Sequence, residues 1–283
     1  GSEIKKKFNK SNYNLFFYNK ENLNLLNFDK LSNVINEIKP SIIINCAAFT
    51  NVDEAEVNKK LAFTSNCRSV KNLVILCKEQ NIYLIHFSTD FVFDGKKQEP
   101  YSEDENLNPV NYYGVTKKIS EKIITQSLSN YLILRVSWLI GIHKNNFLKK
   151  INSLLLLKDE LKIVDDQFSN PTTTSTICKI LYKCCKNYYE DNNNILFGIY
   201  NLCCDPALTK YDFAIIIRDK LLKMNLLKKD VNILKIKTLN NKNNAERPKF
   251  SNLSNDKIKK KLNIDNLKWL DQIENILEKI NVK

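Results

Sequence analysis

A chain of 283 residues can bury a sizeable core in one or two domains, and its balance of apolar and charged residues is that of an ordinary soluble globular protein. No apolar run nears the roughly 18 residues of a membrane span, and the basic start KKKFNK leads into no apolar stretch, so no secretory signal is visible. A formal charge of +13 invites a nucleic-acid reading, but Arg68, Arg135, Arg218 and Arg247 are the only arginines and the lysines form no single stripe, so solvated lysine faces account for it.

In chain order, GSEIKKKF reads as a helix. Asn14–Tyr18 reads as a strand, Asp29–Ile38 as a helix stopped by Pro40, and Ser41–Asn45 as a second strand. A long helix is expected over Val57–Glu79, then a strand at Ile82–Ser88, a helix at Tyr112–Gln126 and a strand at Tyr131–Val136. The strands are nearly continuous in apolar character, as strands covered on both faces are. Their alternation with helices predicts an α/β fold, a doubly wound parallel sheet of Rossmann type with a smaller C-terminal substrate-binding part. The expected division is 1–155 and 156–283, with residues of about 196–224 returning to the sheet through a strand at Leu196–Leu202. The Asn-rich stretches 192–194 and 239–244 read as surface loops.

In such sheets ligands bind at the carboxyl ends of the strands, which directs attention to NCAAFTN, STDFVFDG and SWLIG. YGVTK places Tyr113 and Lys117 on one helix face. A tyrosine is a poor acid–base group at neutral pH unless a cation steadies its phenolate, and a lysine one turn away is such a cation. The spacing alone is weak: about one or two such matches are expected by chance, and Tyr182 with Lys186 is a second, read as helix surface. The hydroxyls of Ser88 and Thr89 at a strand end supply the missing context. Eight cysteines without a CxxC pair argue against zinc and, with no signal, for a reducing cytoplasm. His86 and His143, the only histidines, read as structural, and no metal site is expected.

These segments resemble the dTDP-4-dehydrorhamnose reductases, extended members of the short-chain dehydrogenase/reductase superfamily. The likeness runs in order through NCAAFTNVDEAE, HFSTDFVFDG, PVNYYGVTKKISEK, LRVSWLIG, VDDQFSNPT, GIYNL, TKYDFA and ERPKFSNLSNDK. It implies a cytoplasmic oxidoreductase that reduces the C4 keto group of dTDP-4-dehydro-L-rhamnose to dTDP-L-rhamnose, for surface polysaccharide biosynthesis. Carried over by position, Thr89, Tyr113 and Lys117 are the catalytic set, with Lys117 holding the nicotinamide ribose and depressing the Tyr113 pKa. Gly1, Ala47, Ala48, Phe49 and Ser88, with Tyr113 and Lys117, would line the cofactor; Thr89, Asp90, Trp138 and Arg247 would face the nucleotide sugar. An ordinary core aromatic is the lesser reading of Trp138, Arg247 could equally be a diphosphate ligand or one half of a salt bridge, and Asn66 reads as a backbone-binding residue of the helix layer rather than a catalytic one. The cofactor is NADPH or NADH. The run Asn14–Tyr18 is followed directly by Asn19 and Lys20 rather than by an acid to take a ribose 2′-hydroxyl, and Lys20 could meet a 2′-phosphate, which favours NADPH slightly. The resemblance allows Mg2+ and a homodimer, and implies no nucleic-acid or membrane partner.

There are departures. Lys210 stands where the family commonly has tryptophan, and Pro206 replaces a typical glycine. Besides Gly1 there is no glycine before Gly95, so the first strand and glycine-rich turn of a dinucleotide fold are not seen. Gly1 reads as the last glycine of that turn or as a residue left by tag cleavage, and weak dinucleotide binding is expected of this chain. Two rival readings are a non-catalytic subunit like the regulatory β subunit of methionine adenosyltransferase, and a ketoreductase or epimerase of another nucleotide sugar.

Overall fold

In the computed structural model, which describes residues 1–9, 13–143, 145–191, 194–239 and 244–281, the apolar runs and helical stretches alternate through the sheet-forming part of the chain. The first part comprises α1 (Ser2–Phe8), α2 (Phe28–Ile38), β1 (Ile42–Asn45), α3 (Val52–Val57), α4 (Lys59–Phe63), a π-helical turn (Thr64–Arg68), α5 (Ser69–Glu79), β2 (Tyr83–Thr89), a 3₁₀ turn (Asp90–Val92), α6 (Tyr112–Ser127) and β3 (Tyr131–Val136). There follow β4 (Leu139–Ile140), α7 (Phe147–Leu157), β5 (Glu160–Val164), β6 (Phe168–Ser169), β7 (Thr172–Thr173), α8 (Thr174–Glu190), β8 (Gly198–Leu202), β9 (Leu208–Thr209), α9 (Lys210–Lys223), β10 (Asn232–Ile236), α10 (Asp256–Leu262) and α11 (Leu270–Asn281). The Asn-rich stretches lie largely outside the described residues.

The main sheet has the order β1-β2-β3-β8, all parallel. Side chains alternate across it. Leu84 and Ile133 face one layer, where they meet Leu31 and Ile35 of α2, Leu73 and Val74 of α5, and Ile124 of α6. Tyr83, Ile85, Leu132 and Leu134 face the other, with Ile4 and Phe8 of α1, the apolar side of α8 and the C-terminal helices. Each large side chain buried this way contributes about 1.5–3 kcal/mol. Buried Arg135 on β3 then fixes α6 to the sheet: Nε and Nη2 donate to the Glu121 carboxylate at 3.0 and 2.8 Å, and Nη1 donates to the Glu103 carbonyl at 3.0 Å.

The smaller part builds on the parallel pair β5–β10, against which α9 packs, and on the short ladders β4–β7 and β6–β9. Cys184, Cys185, Cys203 and Cys204 are buried free thiols, as their apolar neighbours suggested. Tyr182 packs on Phe8 while Lys186 pairs with Glu190, so the second Tyr-x-x-x-Lys match is helix surface.

Two expectations fail. Asn14–Tyr18 is irregular, with Phe16, Phe17 and Tyr18 exposed. A strand exists by pairing, the sheet ends at β1, and this segment bonds to no strand among the described residues. The long helix over Val57–Glu79 starts earlier and breaks at Asn58. There the chain departs from helical geometry, and a π-helical turn follows before α5 resumes. The π-helical turn carries Asn66, whose side chain reaches across to Phe49 and Thr116.

Candidate active site

The carboxyl end of β2 and the 3₁₀ turn that follows it meet the first turns of α6. Asn111 caps that helix by accepting from Gly114 N–H at 2.8 Å, and its side-chain amide donates to the Glu246 carbonyl at 2.8 Å. Gly114 is demanded by close approach: a Cβ there would lie 2.2 Å from the Phe91 carbonyl oxygen. This contact sets Tyr113 beside the 3₁₀ turn, its ring edge-on to Phe91 at 6.2 Å.

Thr89 ends β2. Its hydroxyl accepts from Phe91 N–H at 3.2 Å and donates to Asp90 Oδ1 at 2.9 Å. Asp90 is buried, and its Oδ2 accepts from Ser251 at 2.6 Å and Ser169 at 3.3 Å. Burial lifts its pKa to about 6 against the pull of those hydroxyls. Tyr113 is held well above the ordinary phenol range by removal of its hydroxyl from water and by the Asp90 charge, with Thr89 pulling the other way. The expected lowering by Lys117 is therefore not what the structure has. The lysine reaches past the tyrosine to β2, where Nζ donates to the Phe87 carbonyl at 2.6 Å and lies 3.1 Å from His86 Nε2. Burial brings Lys117 down to about 8, with Glu121 and Cys67 opposing. A tyrosine kept protonated suits an acid.

Ala47 and Ala48 stand exposed in the turn after β1, and Phe49 is half-buried. Asn66, offered by the π-helical turn, accepts from Phe49 N–H at 2.7 Å and donates to the Phe49 carbonyl at 3.0 Å and to Thr116 at 2.9 Å. It pins this turn to α6, in line with a backbone-binding role. Ser88 Oγ is buried at the same edge without a hydrogen-bond partner. Gly1 is exposed at the N-cap of α1, with open space where a Cβ would go.

Trp138 holds a left-handed backbone, φ 39°, which a bulky residue rarely adopts. Its ring packs on Phe147 and Phe213 at 5.3 and 4.9 Å, yet its indole N–H is buried without an acceptor. It is thus both a packed aromatic and an unsatisfied donor. Arg247 sits apart from this group. Its two terminal nitrogens each donate to the Asp53 carboxylate at 2.7 Å, so of the two roles foreseen for it, the salt bridge is the one seen here. Lys210 donates to Gln167 Oε1, and burial with the nearby charges of Arg247 and Lys150 lowers its pKa to about 8. Among the described residues no three His, Cys, Asp or Glu side chains group as metal ligands, and no helix is long and apolar enough to cross a membrane.

A parallel sheet whose strand end, Ser88–Thr89, faces a Tyr113–Lys117 helix turn defines a short-chain dehydrogenase/reductase of the extended kind. The family model of the RmlD substrate binding domain matches residues 1–282. A dTDP-4-dehydrorhamnose reductase of Aggregatibacter actinomycetemcomitans is 33% identical over 254 residues, 90% of this chain and 86% of that one. The structure of a dTDP-4-dehydrorhamnose reductase of Clostridium acetobutylicum superposes with a TM-score of 0.89 at 30% identity, covering 100% of this chain and 96% of its own. That of Bacillus anthracis, in complex with NADP, gives 0.87 at 28% identity, covering 98% and 93%. The chain belongs to the dTDP-4-dehydrorhamnose reductase family.

Proposed function

We propose that the protein reduces the C4 keto group of dTDP-4-dehydro-L-rhamnose to the alcohol of dTDP-L-rhamnose, drawing on NADPH in preference to NADH. The observation that carries this reading is the convergence of Tyr113, Thr89, Asp90 and unpartnered Ser88 at one sheet edge in a chain of this family. A reduced nicotinamide, when bound, supplies the hydride. The small exposed turn at Ala47 and Ala48, bracketed by Phe49, and the free Ser88 hydroxyl fit its nicotinamide end, and Lys117 would hold its ribose. Gly1 is assigned to its phosphate end from sequence position alone.

Tyr113, protonated at neutral pH, gives its proton to the carbonyl oxygen as that oxygen becomes an alkoxide. Thr89 orients the carbonyl through its hydroxyl, and Asp90 holds Thr89 in turn. Trp138 offers its indole N–H to the sugar nucleotide. Arg247 contributes by closing the C-terminal part onto α3 through Asp53. Lys117 answers the negative charge left on Tyr113, so its effect on the phenolate belongs to the working enzyme rather than to the ligand-free geometry. Buried thiols such as Cys184, Cys185, Cys203 and Cys204 suit a reducing cytoplasm.

The test is to follow loss of reduced-nicotinamide absorbance with the keto-sugar nucleotide, with each cofactor and with and without EDTA, which also reads any Mg2+ requirement. Tyr113→Phe should cut kcat by about 10²–10⁴-fold with an unchanged circular dichroism spectrum. Absence of turnover at high wild-type concentration would sink the reading.

A further inference from the structure

Asn45 and His86, which the reduction as derived above does not use, form a buried chain of side chains with Lys117. Asn45 and His86 face each other across the β1–β2 ladder. Asn45 Oδ1 accepts from Ala47 N–H at 3.0 Å, which fixes the amide and leaves its NH2 3.1 Å from His86 Nδ1. His86 Nδ1 must therefore present a lone pair. A neutral imidazole has one donor and one acceptor, so Nε2 carries the hydrogen and aims it at Lys117 Nζ, 3.1 Å away.

That arrangement discriminates between the two forms of the lysine. A neutral amine can donate to the Phe87 carbonyl and still offer its lone pair to Nε2–H. An ammonium has donors only and would set N–H against N–H. Other groups do not resolve the conflict. Lys117 faces Glu121 from its own helix and Cys67 from the π-helical turn, with Tyr113 one turn before it. Glu121 is held by Arg135 of β3, and the Cys67 thiol, pushed by burial to about 11, donates to the Thr116 carbonyl. His86 cannot relieve it by charging, because burial and then the Lys117 charge hold it well below the ordinary histidine range.

We infer that His86 is a positioning residue that, through Asn45, couples the protonation of Lys117 to the backbone turn at Ala47. To accept a hydrogen bond from an ammonium, His86 must exchange its hydrogen from Nε2 to Nδ1. Asn45 must then turn its amide and release Ala47 N–H. Reciprocally, whatever fastens that turn biases the lysine toward its neutral form. The inference rests on Lys117 being the lysine of the reductase site, but its first test does not depend on activity.

With His143→Asn leaving one histidine, ¹⁵N NMR of the whole protein reads the tautomer directly. His86 should be Nε2-protonated above the titration of Lys117, near pH 8, and Nδ1-protonated below it, without becoming charged. His86→Gln supplies an amide oxygen that accepts from the ammonium at any pH, so the basic limb of the kcat profile should move up by about one pH unit. A purely structural histidine would leave that limb in place. A single tautomer from about pH 6 to 10, or formation of an imidazolium there, overturns the inference even if His86→Gln fails to fold. So does an unmoved basic limb in a folded His86→Gln enzyme. Loss of activity in the wild type with the tautomer exchange intact would count against the reductase reading alone.

Discussion

Asp90 is a carboxyl group with three hydroxyl neighbours and almost no water, and burial outweighs them, lifting its pKa to about 6. A folded pKa above the unfolded one means that the native state binds the proton more tightly. The stability this brings is complete below about pH 4 and is lost as pH rises through about 6, at most about 3 kcal/mol for such a shift. Asp90→Asn mimics the neutral form. Its melting temperature should match the wild type near pH 4 and exceed it at pH 7, while turnover falls because Thr89 then donates to a neutral amide oxygen, a weaker acceptor than the carboxylate. Equal melting curves at both pH values would show that Asp90 ionises at no cost. Residues of this kind divide by how far their partners lie along the chain. Tyr113 with Lys117 and the strand-end pair Ser88–Thr89 are legible from a helical turn and a strand terminus. The hydroxyls that reach Asp90 come from 79 and 161 positions away, and no local pattern announces them. His86 had a faint signal, sharing a strand face with Ser88, but its contact with Lys117 spans 31 positions.

Among elements, the four strands of the main sheet were legible because burial on both faces leaves a nearly continuous apolar run. Asn14–Tyr18 carries the same run without the pairing, so its composition misleads. The breaks in the Val57–Glu79 helix were not legible either, since a π-helical turn is chosen by what Asn66 must reach across to Phe49 and Thr116, not by propensity. Helix α6 carries Tyr113 and Lys117, the proposed acid and its cation, and it lies where it does because Gly114 lets its backbone touch the 3₁₀ turn. Gly114→Ala gains up to about 1 kcal/mol of helix propensity. It also drives a Cβ to 2.2 Å from the Phe91 carbonyl oxygen and 2.8 Å from Pro109 Cβ. Backbone on one side and a proline ring on the other leave little room to yield. A net loss of about 1–3 kcal/mol is expected by denaturant titration, with a fall in kcat as Tyr113 shifts away from Thr89. Wild-type stability and kcat in that variant would mean that α6 can slide freely on the turn.

Across the whole molecule, one segment of the C-terminal part, 245–251, makes several ties at the carboxyl edge of the sheet. Arg247 and Ala245 N–H hold Asp53 on α3, and the Glu246 carbonyl accepts from Asn111 at the head of α6. Phe250 stacks on Phe168 at 4.8 Å, and Ser251 reaches Asp90. The sequence marked Arg247 for its chemistry, but which anion it meets was a long-range matter. Arg247 holds the Asp53 carboxyl below its ordinary range, so the pair is present above the unfolded carboxylate pKa, about 4, and is lost only as pH falls below it. Asp53 is 43% exposed, so solvent screens the pair and its contribution to stability is small. On the proposed function, its consequence would lie in how the strap is placed over the substrate. Asp53→Ala should therefore raise KM for the nucleotide sugar about 3–10-fold, a cost on the order of 1 kcal/mol, and leave the melting temperature nearly unchanged. Because the pair is already fully formed, the increase should be constant from about pH 6 to 8. If KM stays at the wild-type value, the remaining contacts of Glu246, Phe250 and Ser251 position the strap, and the ion pair is incidental to substrate binding.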